Sequence, residues 1–134
     1  MICIAAAGKT MAIAASAFTL AWTHSVEKTR WEEHWIAGPQ GLTVTEGRIE
    51  GSGAGMEPPD NARLEDGAYV YSLQRPPIPE LVLAASGGTV SGWHFCAEGT
   101  GCIDLGEAAG EPIRIRWCKA PASDGDPPAP AARP

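Results

Sequence analysis

The sequence lacks any run of roughly 18 apolar residues, the length a membrane-spanning helix needs, so no such span is expected. Positive charge is scarce: ten Lys and Arg stand against sixteen Asp and Glu, for a net charge of −6. No basic stripe could release counterions from a phosphate backbone or hold anionic lipid, which excludes nucleic acid and a charged membrane surface as expected partners. A long helical period is also missing, and Pro58, Pro59, Pro76, Pro77 and Pro79 interrupt the chain where a helix would have to continue. No Gly-x-Ser-x-Gly elbow, Gly-x-Gly-x-x-Gly loop, P-loop, Asp-x-Asp-x-Asp-Gly loop or paired Cys-x-x-Cys occurs. Each missing motif removes a reaction class, and neither a cofactor nor a metal is expected.

What is present suits one domain. The 134 residues are 44% hydrophobic and 19% charged, enough to bury a single core. Residues 119–134 are mostly Ala, Pro, Asp and Gly with nothing to bury, so they are expected to form a disordered tail behind a domain spanning 1–118.

Residues 1–22 are apolar enough to imitate a secretory signal, with Ala15-Ser16-Ala17 as a cleavage-like site. Lys9 interrupts the run, and the favoured reading is a hairpin inside the fold, with strands over 2–6 and 11–15 about Gly8-Lys9. A cytoplasmic location follows if Met1 is the native start.

The clearest strand signal comes next. Phe18, Leu20 and Trp22 alternate with Thr19, Ala21 and Thr23, the period of a half-buried strand, and Trp31, Glu33 and Trp35 alternate again beyond a polar break. Segments 42–49, 68–73, 81–84, 92–96, 102–105 and 113–117 are short, rich in β-branched or aromatic residues, and bounded by Gly, Pro or Asp. The fold class is therefore mainly β: a small antiparallel β-sandwich or partly open β-barrel.

With residues 27–30 as the turn between the two alternating runs, Trp22 would face Trp35 and His24 would face Glu33. Leu20, Trp22, Val26, Trp31 and Trp35 would then enclose His24 and Glu33, with Glu32 and His34 on the other face. An imidazole and a carboxyl in an apolar setting should be linked, because desolvation penalises either charge alone. The pair serves strand register or lines a pocket. Ser25 is no nucleophile for His24, since neighbouring strand residues point to opposite faces.

Glu32, Glu33, Glu46, Glu50 and Glu57 are read as solvated charges scattered over both faces. His94, Cys96, Cys102 and Cys118 carry atoms that suit zinc but lack its usual spacing. The loop Gly51-Ser52-Gly53-Ala54-Gly55 could offer backbone amides to an anion, although positive φ angles or close strand approach are its commoner use. Four cysteines permit three connectivities or none; Cys96 and Cys102 flank a Gly-rich turn that could bring them to bridging distance.

The segment from Phe18 to Trp35, with His24-Ser25-Val26-Glu27-Lys28 inside it, then Gly41-Leu42 and Gly51-Ser52-Gly53-Ala54-Gly55-Met56-Glu57-Pro58-Pro59, resembles an uncharacterised bacterial family, domain of unknown function 1850. Pro79-Glu80-Leu81 and Trp93-His94-Phe95-Cys96 with Cys102 fit the same pattern, so the resemblance covers about residues 2–118. It implies no activity. Many such proteins are encoded near TAXI-class tripartite ATP-independent periplasmic (TRAP) transporters, and many carry an amino-terminal export or membrane segment. The resemblance thus implies a periplasmic setting and a transporter component or small-molecule ligand as partner.

The expected function is a non-enzymatic binding or accessory module, without catalytic residues, using His24, Ser25, Glu33, Ser52, Gly53, Gly55 and Met56 for binding. The alternatives are a small hydrolase or isomerase using His24 with Glu33, and a structural domain that pairs through a sheet edge.

Overall fold

The computed structural model describes residues 1–23, 29–50, 61–85 and 92–119. Among these residues all regular structure is β, in two antiparallel sheets that do not close into a barrel. No helix among them is long and apolar enough to cross a membrane. The expected tail, from residue 120 on, lies outside the described residues.

The smaller sheet holds β1 (Ile2–Ala6), β2 (Lys9–Ile13), β8 (Glu80–Leu83) and β11 (Ile113–Trp117), in the order β2-β1-β11-β8. Chain ends meet here: β1 pairs along β11, and a disulfide joins Cys3 to Cys118 across 115 positions of sequence. The turn between β1 and β2 is Ala7-Gly8, both at positive φ, the primed geometry whose twist matches a two-residue hairpin.

The larger sheet runs β10-β9-β3-β4-β5-β7-β6. Its strands are β3 (Ala17–Thr23), β4 (Arg30–Gly38), β5 (Gly41–Glu50), β6 (Arg63–Glu65), β7 (Ala68–Ser72), β9 (Trp93–Ala97) and β10 (Gly101–Leu105). The core lies between the sheets. Ile2, Ile4, Ile113 and Ile115 from the smaller sheet meet Phe18, Leu20, Leu42 and Phe95 from the larger, all essentially shielded from water. Phe18 links two strands by stacking on Trp35 and Phe95, with ring centroids 6.0 and 4.9 Å away.

A bulge adjusts β5. His34 pairs with Glu46 but Trp35 pairs with Val44, leaving Thr45 as the extra residue, and its hydroxyl donates to the His34 carbonyl over 3.2 Å. The inserted residue switches the parity of the strand, so Ile49 and Gly47 on one side of the bulge and Val44 and Leu42 on the other are all buried.

The β3–β4 register corrects the expected one. Trp22 stands opposite Trp31, Leu20 opposite Glu33 and Phe18 opposite Trp35, so the pairing is displaced by four positions from the one read in the sequence. An even displacement preserves which side chains share a face, and Leu20, Trp22, Trp31, Glu33 and Trp35 still do. The residue facing Glu33 is nevertheless Leu20, not His24.

Candidate functional site

The inward face of the larger sheet carries a row of indoles at the end where β3 and β5 finish and β4 and β9 begin. Cross-strand pairing sets Trp31 of β4 against Trp22 of β3, their rings stacked with centroids 6.0 Å apart. Trp22 meets Trp93 of β9 on its other side at 5.1 Å, in a tilted arrangement. Trp93 is anchored, donating Nε1–H to the Ala84 carbonyl over 2.8 Å. Trp31 is not: its Nε1 is buried and finds no hydrogen-bond partner among the described residues. A buried donor left without an acceptor costs about 1–3 kcal/mol, so this indole N–H favours any acceptor brought to it.

Glu33 follows two residues along β4 on the same face and accepts the Trp35 Nε1–H at 3.1 Å. Burial pushes its carboxyl above the ordinary glutamate range, and the Trp35 hydrogen bond and the Arg75 charge only partly oppose that shift. Across β5, Tyr71 of β7 pairs with Gly47, which pairs in turn with Glu33. Gly47 makes room for the phenol: a Cβ there would lie 2.4 Å from Tyr71 Cζ. Burial first, and the Glu33 charge second, push the Tyr71 hydroxyl above its usual value, against the pull of Arg75. The result is a three-indole platform ending in a carboxyl of raised proton affinity, a phenol and a guanidinium, an arrangement with both an apolar surface and hydrogen-bonding groups.

The opposite face of the sheet is charged. Glu32 Oε2 lies 3.3 Å from His34 Nε2 and Glu46 Oε2 lies 4.0 Å from His34 Nδ1, so two carboxylates bracket one imidazole. Arg30 and Arg63 extend the cluster at 3.9 and 3.6 Å from Glu32 and Glu46. With His34 40% exposed, this is a solvated network that adds little stability. Beside it, a concavity of about 350 Å³ is lined by residues including Thr19, His34, Thr45, Cys96 and Glu98.

Of the binding residues read from the sequence, Glu33 is placed by the structure. His24 and Ser25, in 24–28, and Ser52, Gly53, Gly55 and Met56, in 51–60, lie outside the described residues. Cys96 and Cys102 face each other on β9 and β10 and form a disulfide. Sequence reasoning missed Tyr71, whose link to Glu33 runs across the β5–β7 pairing, and Arg75, whose charge acts on both. It also missed Trp93 as a member of the row, although its place in an alternating segment was a usable signal.

The class of protein defined by this arrangement is a small two-sheet β-sandwich domain with an aromatic, acid-bearing end to its larger sheet. The chain belongs to the family described as a domain of unknown function, DUF1850, whose family model matches residues 18–105, from β3 to the end of β10. No curated protein and no solved structure matches it.

Proposed function

We propose that the domain is a non-enzymatic binding or accessory module that takes a small amphipathic ligand, or an apolar segment of a transporter component, on the Trp93–Trp22–Trp31 row. The observation that carries this reading is the buried Trp31 indole N–H, which has no partner among the described residues and lies two residues from Glu33. An incoming acceptor would satisfy that donor and recover its desolvation penalty. His24, Ser25, Ser52, Gly53, Gly55 and Met56 stay in the proposal as further binding residues on the strength of the sequence reading alone.

The transport setting rests on the family resemblance, through its association with TRAP-type transporters. Two disulfides support an oxidising compartment such as the periplasm, where such bonds persist. The test is affinity purification of the tagged full chain from native cells, in parent and Trp31→Phe forms. Recovery of transporter subunits with the parent, reduced several-fold for Trp31→Phe, is the expected result. Absence of any transporter subunit rejects the partner, and equal recovery by both forms rejects the site.

A further inference from the structure

The β9–β10 hairpin carries a second constellation, on the face opposite the tryptophan row. Its register sets Cys96 opposite Cys102 and His94 opposite Asp104. The two rungs are two residues apart on each strand, so all four side chains share one face of the sheet. Donor atoms of His94, Cys96 and Cys102 lie within 4.8 Å of one another. Asp104 Oδ1 is 2.8 Å from His94 Nδ1, a contact that orients the imidazole and leaves Nε2 as its free nitrogen.

We propose that opening the Cys96–Cys102 disulfide turns this hairpin face into a binding site for a thiophilic divalent cation of the zinc type, ligated by Cys96, Cys102 and His94. Asp104 acts as the positioning carboxylate on the imidazole, the arrangement that raises ligand basicity in histidine metal sites. Zinc–ligand bonds of about 2.0–2.3 Å separate tetrahedral donors by roughly 3.3–3.8 Å, so the two sulfurs have to part once unbonded and the imidazole nitrogen has to draw in from at most 4.8 Å. Three protein ligands leave the fourth position to water.

While the sulfurs are bonded to each other they cannot serve as thiolates, and the site is shut. A dithiol reductant supplies two electrons and two protons, is itself oxidised to a disulfide, and leaves Cys96 and Cys102 as thiols. The cation then displaces both thiol protons to solvent as it binds. Access is available: Cys102 is exposed, and the His94 and Asp104 side chains are 40% and 49% exposed. The hairpin thereby couples metal binding to redox state, and a cation would be taken up only under reducing conditions.

The experiment uses the full chain treated with limiting phosphine, with mass mapping of alkylated cysteines to select the form reduced at Cys96 and Cys102 but still bridged between Cys3 and Cys118. Cobalt(II) is the probe, because thiolate ligation produces intense charge-transfer absorption. One equivalent bound with that absorption in the reduced form, none in the oxidised form, and displacement by zinc are the expected results. The double variant Cys96→Ser with Cys102→Ser should abolish the band, and Asp104→Asn should weaken affinity by about 10–100-fold, as loss of an outer carboxylate does elsewhere. No charge-transfer band in reduced protein that keeps its near-ultraviolet circular dichroism overturns the proposal. A band that persists in the variant lacking both Cys96 and Cys102 overturns it too, as does reduction of this pair only after the fold is lost.

Discussion

Trp35 donates its indole N–H to Glu33 over 3.1 Å, from two residues farther along β4 and on the same inward face. The contact favours the ionised carboxylate, yet burial outweighs it and the group holds its proton more tightly than in the unfolded chain.

A raised folded-state value fixes the sign of the pH dependence. Stability associated with this proton is fully present below the ordinary 4.5 and is lost as pH rises through the higher folded value. Glu33→Gln keeps an acceptor for Trp35 and removes the charge. The variant should be more stable than the parent at neutral pH, with the difference vanishing below 4.5, in thermal melts collected on both sides of that value.

Gly41→Ala should destabilise the fold. Gly41 has a φ of 120°, and a Cβ there would lie 2.4 Å from the Ile78 carbonyl oxygen, which accepts the Leu42 N–H over 2.8 Å. Both the backbone conformation and the close approach demand glycine, so a loss of about 1–3 kcal/mol is expected in urea unfolding.

Phe95→Ala removes the largest fully buried side chain and its stacking on Phe18. Equilibrium unfolding should show a loss of about 3–5 kcal/mol with secondary structure retained in the folded state.

The paired change Cys3→Ala with Cys118→Ala frees β1 and β11 from their covalent tie. A bridge spanning 115 positions restricts the unfolded chain strongly, and its loss should lower stability by about 2–5 kcal/mol in denaturant titration. Removing the short Cys96–Cys102 link, with a separation of 6, should cost less.

Strand content was legible because alternation is local. Phe18, Leu20 and Trp22, then Trp31, Glu33 and Trp35, announce one apolar face without reference to anything distant, and the structure keeps them together. Register was not legible, since it depends on how many residues the connection takes up, and pairing of Trp22 with Trp31 or with Trp35 satisfies the same parity. The edge strand β6 escaped because Arg63, Leu64 and Glu65 are all exposed and show no periodicity. Only Asp66-Gly67, both at positive φ, marked its hairpin with β7. The bulge at Thr45 hid the inward set on β5 for a similar reason, since one extra residue exchanges odd for even positions.

The candidate sites divide the same way. Glu33 and its neighbouring indoles were visible as an acid within an apolar alternation, whereas its relation to Tyr71 required β7 to settle beside β5. His94 and Asp104 are ten positions apart and meet only because their hairpin pairs them. By itself the sequence determined an antiparallel β domain with one strongly aromatic face, because side-chain alternation and turn chemistry act over a few residues. Tertiary structure decided which strands became neighbours, which cysteines bridged, and which polar groups met on each face, because those outcomes depend on loop lengths and on the competition among distant apolar surfaces for one core.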